Sequence, residues 1–187
     1  MKIVILTIII AVANFSAFAS EPVEGWTKKD VMSSMERASL LKVSDKTADP
    51  NFPDIQGSTE SGFTVTIIRM ACPEQPPSPD DLCKGAWLTV FIPTTEPRWA
   101  ENIVYSIDKS GVFGINASTI DFGSGDGSKL AVSLSHYLAA DGGVSPDLLY
   151  FQLGNLLEYT EQTREFLLSD DPAHEDLWAP AVAAARE

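Results

Sequence analysis

From Leu130 to Leu138 the chain alternates without a slip. Leu130, Val132, Leu134, His136 and Leu138 share one parity, and Ala131, Ser133, Ser135 and Tyr137 share the other. Period two over nine residues predicts a half-buried antiparallel strand. The stretch before it, 112–120, is rich in β-branched and aromatic residues, with Phe113, Ile115 and Ala117 on one parity. Ile120 and Phe122 fall on the opposite parity, which predicts a bulge near Ser118-Thr119. Gly123 to Ser128 reads as the reversal between the two strands, because glycine supplies the positive-φ residues that hairpin loops need. Asp141-Gly142-Gly143 breaks the second strand. Ser145 is placed as the N-cap and Pro146 as the first residue of a helix. Leu149, Leu153, Leu156, Thr160, Thr163 and Leu167 recur at helical spacing, with Glu158, Glu161, Arg164 and Glu165 on the polar side.

The earlier half is less regular. Thr27 with Asp30 three residues on reads as a cap, with Val31 placed to meet Trp26 as a hydrophobic staple. Val31, Met35, Ala38 and Leu41 form the apolar stripe of that helix, and 43–59 is polar and irregular. Phe63, Val65 and Ile67 alternate with Thr64 and Thr66, a strand running to about Ala71. Its partner, Ala86 to Ile92, is apolar on both parities, as a central strand covered on two faces would be. Pro73, Pro76, Pro77 and Pro79 with Asp80-Asp81 predict a stiff, protruding loop between them. Thr95 caps a further helix that carries Trp99 and Ile103 and ends at Gly111. The expected fold is α+β: an antiparallel sheet with helices packed on it, in the order helix, two or three strands, helix, two strands, helix.

Phe113-Gly114 opening a strand, an Asp/Gly hairpin, a second strand, a Gly-Gly-Val-Ser-Pro break and a helix ending Glu165-Phe166-Leu167 resemble the YbjN family. A cysteine-bounded hairpin and a helix holding Trp99 and Asn102 precede them in the family's order. The resemblance spans roughly Trp26 to Leu168 and implies a type III secretion chaperone-like fold. It also implies one or two short strands within 43–59, and a role in sensory transduction regulation. The departures are an N-terminal apolar segment, the long Pro-rich insert and a C-terminal extension.

That N-terminal segment changes the setting. Met1-Lys2, the apolar run from Ile3 to Val12, and Ala17-Phe18-Ala19 have the layout of a secretory signal, with cleavage expected after Ala19. The expected organisation is a signal peptide over 1–19, one domain over 20–169 and an extension over 170–187. The expected location is the periplasm, with no membrane contact after cleavage. The rival reading retains the segment as an anchor.

The full chain carries 13 basic and 26 acidic residues, a net charge of −13. Removal of Lys2 leaves 12 against 26, or −14. Such a balance disfavours nucleic-acid binding and docking on anionic lipid. In an exported chain Cys72 and Cys83, the only cysteines, are expected to pair and to clip the loop 73–82.

No pattern in the chain supports catalysis. The only histidines are His136 and His174, so a zinc or copper site is not expected. His136 reads as a satisfied, partly buried imidazole. Asp121 to Gly127 lacks the following helix of a phosphate cradle and the distal Glu of a calcium loop. Neither cofactor nor enzymatic activity is expected.

The surplus lies in the aromatic residues. Trp87, Phe91, Tyr137, Tyr150 and Phe151 exceed what one helix stripe and one sheet face must bury. They either close the core or form an exposed groove or dimer face, and the resemblance implies surfaces that hold extended partner segments. Trp87, Tyr137, Tyr150 and Phe151 are therefore the candidate partner-binding residues, for an unidentified protein or peptide or a second copy. The alternative is an inhibitor or accessory subunit that docks through the disulfide-closed loop 73–82.

Overall fold

A computed structural model describes residues 21–46, 55–94, 104, 114–121 and 130–170. The fold is α+β, and the described residues form six antiparallel strands and two helices of more than one residue, α1 (Lys28–Arg37) and α2 (Leu148–Asp170). The strands are β1 (Leu41–Asp45), β2 (Ile55–Ser58), β3 (Thr64–Met70), β4 (Gly85–Thr94), β5 (Ile115–Asp121) and β6 (Leu130–Ala139). Four strands precede β5, one more than the two or three of the expected order; β1 and β2 are the short strands that the family resemblance implies near 43–59. The helix expected from Thr95 and the reversal at 123–128 lie outside the described residues, as do the N-terminal segment and residues 171–187.

The sheet order is β1-β2-β3-β4-β6-β5, so β4 is central and β6 returns between β4 and β5. Pairing is continuous over long ladders, from Gly85↔Ala139 to Thr94↔Leu130 between β4 and β6. On one face Val65, Ile67, Leu88, Val90, Val132 and Leu134 are all fully buried. They form one core with Val31 and Met35 of α1 and Leu149, Leu153 and Leu156 of α2. Both helices therefore cover the same side of the sheet. From Leu149 to Thr163 the α2 stripe is buried as its spacing predicts, and the side chain of Leu167 lies outside what is described. Its polar members are satisfied, since Thr160 Oγ1 donates to the Leu156 carbonyl (2.7 Å) and Thr163 Oγ1 to that of Tyr159 (2.9 Å).

The start of α1 also follows the sequence. Thr27 and Asp30 form a reciprocal capping box, and Trp26 and Val31 are both buried in the core. Its end does not. The helix stops at Arg37, and Ser39 turns back with φ of 60°. That reversal buries Leu40, and Leu41 becomes a half-buried strand residue instead of a stripe member. At the other helix, Leu148 N donates to the Ser145 carbonyl and Asp147 N to Ser145 Oγ (3.3 Å). Pro146-Asp147 is thus a turn, and α2 begins three residues past the expected cap.

The expected bulge at Ser118-Thr119 is absent. β5 pairs with β6 in unbroken register from Ile115↔His136 to Asp121↔Leu130. The parity change at Ile120 needs no slip because both faces of the sheet accept apolar groups: Ile120 is half-buried on the face away from the helices. For the same reason β6 is buried on both parities as far as Ser135, not half-buried.

Gly114 enters β5 with φ of +78°, and a Cβ there would lie 2.6 Å from His136 Cε1. His136 Nδ1 hydrogen-bonds the Gly114 carbonyl at 2.5 Å, the satisfied imidazole expected of it. Gly114→Ala meets both a left-handed backbone and the ring, so a loss of about 1–2 kcal/mol is expected in denaturant unfolding. A neutral result would show that the strand entry relaxes freely.

Candidate functional site

The disulfide loop holds one end of the sheet. Cys72 and Cys83 are bonded just beyond the last β3–β4 rung, Met70↔Gly85. The loop they close does not simply protrude. Arg69 shares the inward parity of Val65 and Ile67 and is buried. Its Nη1 donates to the Ser78 carbonyl (3.0 Å), with the Asp81 carbonyl at 3.5 Å. Asp81 accepts from Ser78 N at 2.8 Å. The Pro79 carbonyl accepts from Lys28 N at 3.2 Å, at the start of α1. Residues 73–76, Pro79, Asp80 and Leu82 are exposed, as a protruding loop would be, while Pro77, Ser78 and Asp81 are half-buried and hold it to the body. Sequence reasoning missed Arg69, whose signal is a charged residue at an inward position just before the cysteine loop.

The segment before α1 stitches this end together. Trp26 and Cys83 exchange backbone hydrogen bonds (2.9 and 3.1 Å), and Val23 and Val144 do the same (2.8 and 2.9 Å). The loop before α1, the disulfide loop and the Gly142-Gly143 turn thus share one set of strand-like contacts.

The four candidate aromatic residues fall in two places, on opposite sides of the sheet. Tyr150 and Phe151 open α2, on the helix side, with ring centroids 5.4 Å apart. Arg37 lies over the Tyr150 ring at 4.3 Å and pairs with Asp147 at 2.7 Å, so Tyr150 joins the end of α1 to the start of α2. Both partners of that ion pair are about half exposed, so it contributes little. Phe151 stays 59 % exposed.

Trp87 and Tyr137 face away from the helices. They are paired directly across β4 and β6, and Ile68 of β3 is paired with Trp87, giving one row across three strands. The rings lie 6.2 Å apart and tilted by 55°. Tyr137 leans over Gly85, where a Cβ would meet its hydroxyl at 2.6 Å, so the absence of a side chain there seats the ring. Ile68, Trp87 and Tyr137 are 38, 39 and 45 % exposed, and Met70 in the next row is 38 % exposed. Thr66, Thr89 and Ser135, one row further in, are buried. No Asp, Glu, Lys or Arg occupies any position of this face from β2 to β5. Sequence reasoning missed Ile68 and Met70. The signal was there, since the outward parity of β3 turns from Thr64 and Thr66 to apolar at those two positions.

Glu161 is half-buried and accepts a hydrogen bond from Ser61 Oγ, so it ties α2 to the β2–β3 turn instead of lying on a fully solvated side. A shallow cleft of about 410 Å³ lies between α1 and the loop, lined by residues including Lys28, Lys29, Glu36 and Asp80. Lys28 pairs with Asp45 at 2.5 Å, and the lining has no convergent chemistry. Among the described residues no three His, Cys, Asp or Glu are placed to hold a metal ion. No helix among them is long and apolar enough to cross a membrane. The disulfide is compatible with an oxidising compartment.

No family model matches the chain, and no curated protein matches it in sequence. Among solved structures it is similar to YbjN from E. coli, named there as a candidate transcription regulator. The TM-score is 0.43 at 11 % identity, over 79 % of this chain and 92 % of that one. The likeness is one of fold, and nothing about function is drawn from it.

Proposed function

We propose that this chain is a non-enzymatic exported protein that binds a short apolar segment of a protein or peptide partner on the outer face of its sheet. The observation that carries the reading is the row Ile68–Trp87–Tyr137 with Met70, large apolar side chains standing exposed on a charge-free face. A merely solvated face of a chain with 26 acidic residues would carry charge there. Size selects the kind of partner. Four side chains near 40 % exposure offer on the order of 300 Å², well below the ~800 Å² per partner of a stable protein interface. A short extended or helical segment fits that area. The export and the sensory or stress-regulatory setting rest on the N-terminal pattern and the resemblance to the YbjN family. The periplasm is the corresponding location.

The test is a display of uncharged apolar heptapeptides, with affinities then measured for the wild type, Trp87→Ala, Tyr137→Ala and Phe151→Ala. Truncation of Trp87 or Tyr137 is expected to weaken binding ten- to a hundredfold, as central aromatic anchors do, with Phe151→Ala near neutral. Selected peptides that bind all four alike, or no selected peptide at all, would reject the outer face as the site. Binding lost on replacing Pro76-Pro77 instead would favour the docking-loop alternative.

A further inference from the structure

The outer face of the sheet is open at one end and closed at the other. The row Ile68–Trp87–Tyr137, toward Gly85, stands exposed, whereas Ala131, Ser133 and Ser135, toward Thr94, are 3, 4 and 7 % exposed. Their neighbours on the sheet do not account for this. Ser133 has Ala131 and Ser135 beside it along β6, and Ser118 and Phe91 across from it. Tyr137, the next large residue beyond Ser135, leans the other way, over Gly85. Short side chains among mostly short neighbours keep their outer atoms in water on a bare sheet face. We infer that the C-terminal stretch Leu177–Ala185 folds back along β6 of its own chain, over Ala131, Ser133 and Ser135, and so confines the partner site to the row at the Gly85 end. The cover stands on burial and reach; that it bounds a partner site rests on the reading proposed above.

Position and composition select this occupant among the segments outside the described residues. α2 runs toward the closed end, since Glu161 bonds Ser61 in the β2–β3 turn, and Thr64 just beyond pairs with Phe91. About 14 Å of α2 follow Glu161. Residues 171–176 reach about 20 Å when extended, enough to return over that overhang and cross one layer of about 10 Å. Between Asp176 and Arg186, the stretch Leu177–Ala185 carries no charge and includes Trp178 and Val182, so it suits a face without charge. Ser133 and Ser135 offer its backbone two hydroxyls. The other segments fit less well. The chain before Val23 enters beside Val144, at the open end. Val104, from the connection between β4 and β5, packs against the core on the helix side. Residues 122–129 hold one large apolar side chain, Phe122, and residues 47–54 join β1 to β2, away from β6.

Thiol labelling tests the cover on the whole chain, whose own cysteines are held in the disulfide. With a maleimide and no reductant, Ser133→Cys should react at least tenfold more slowly than Ser118→Cys, its exposed neighbour on β5. Adding Trp178→Asp with Val182→Asp puts charge into the segment, which then leaves the uncharged face. The Ser133→Cys rate should rise at least tenfold, with Ser118→Cys and the thermal transition little changed. Ala131→Cys repeats the measurement should Ser133→Cys itself lower the transition. Protection should be independent of protein concentration, because the segment belongs to the same chain. Fast labelling of Ser133→Cys in the parent chain would overturn the inference. So would protection that survives the two aspartates, which would assign the cover to the sheet or to 122–129, or protection lost on dilution, which would assign it to a second copy. No peptide enters the measurement, so failure here leaves the reading of the Trp87–Tyr137 row standing, and failure of the peptide display leaves the cover standing.

Discussion

Trp26→Ala is expected to lower the unfolding free energy by about 3–5 kcal/mol, the largest effect of any single truncation proposed for this chain. Trp26 is 1 % exposed and packs in the core with Val31 and Met35, so truncation leaves a cavity that the sheet and α1 cannot close. The backbone exchange with Cys83 survives, because it uses only main-chain atoms. Trp26→Phe separates packing from polarity. The indole N–H has no hydrogen-bond partner among the described residues, so the phenyl ring forfeits volume and no bond. Its cost should stay near about 1–1.5 kcal/mol. Urea unfolding followed by far-UV circular dichroism reads both. If Trp26→Phe proved as costly as Trp26→Ala, the indole N–H would have to be bonded in solution. Since whole domains are stable by only ~5–15 kcal/mol, Trp26→Ala should also leave a measurable unfolded fraction on warming.

What the sequence disclosed follows from how far each signal reaches. The capping box at Thr27 and Asp30, the period-two run of β6 and the Leu149–Leu153–Leu156 stripe depend on neighbours within a turn or a strand. All three stand in the structure. The insertion of β6 between β4 and β5 depends on pairing between distant segments, and no local pattern encodes it. The bulge predicted at Ser118 failed for a related reason. A parity change signals a slip only if one face of the sheet is solvent, and here the second face also takes Phe91, Trp87 and Ile120. β1 and β2 were expected only from the family resemblance, because 43–59 holds few apolar residues and gives no local signal; β2 pairs with β3, and β1 with β2.

The aromatic surplus was legible as a surplus, but not its division. Tyr150 and Trp87 look alike in a sequence. Only the register shows that Trp87 meets Ile68 and Tyr137 on the outer face. Only the approach of α1 to α2 places Arg37 over Tyr150. Of the two helix residues, Tyr150 is part of the joint between two helices, and Phe151 stays exposed beside it. The outer-face pair gained two residues, Ile68 and Met70, from a strand whose alternation had been read for its inward side alone.

Replacing both cysteines, Cys72→Ala with Cys83→Ala, is expected to remove about 3 kcal/mol of stability while leaving the native fold in place. The two effects of losing the bond differ in size. In the unfolded chain, closure of a short loop disappears and the ensemble gains freedom, which accounts for the whole of that estimate. In the native chain the loop has other holds: Arg69 to the Ser78 and Asp81 carbonyls, Lys28 N to Pro79, and Trp26 to Cys83. Those contacts should keep the loop docked, so the far-UV spectrum and the exposure of the Trp87–Tyr137 row should not change. The midpoint in urea should fall with little change in slope on the native side, and a dithiol added to the wild type should give the same shift as the double substitution. Removing the loop's own anchor as well, with Arg69→Ala in the cysteine-free chain, should then expose residues 77–82 to proteolysis while α2 remains folded. A loss well under 1 kcal/mol in the cysteine-free chain would mean that the reduced unfolded state is already held compact near residues 72–83. A cysteine-free chain that fails to fold would mean that the bond, not Arg69, seats the loop against α1.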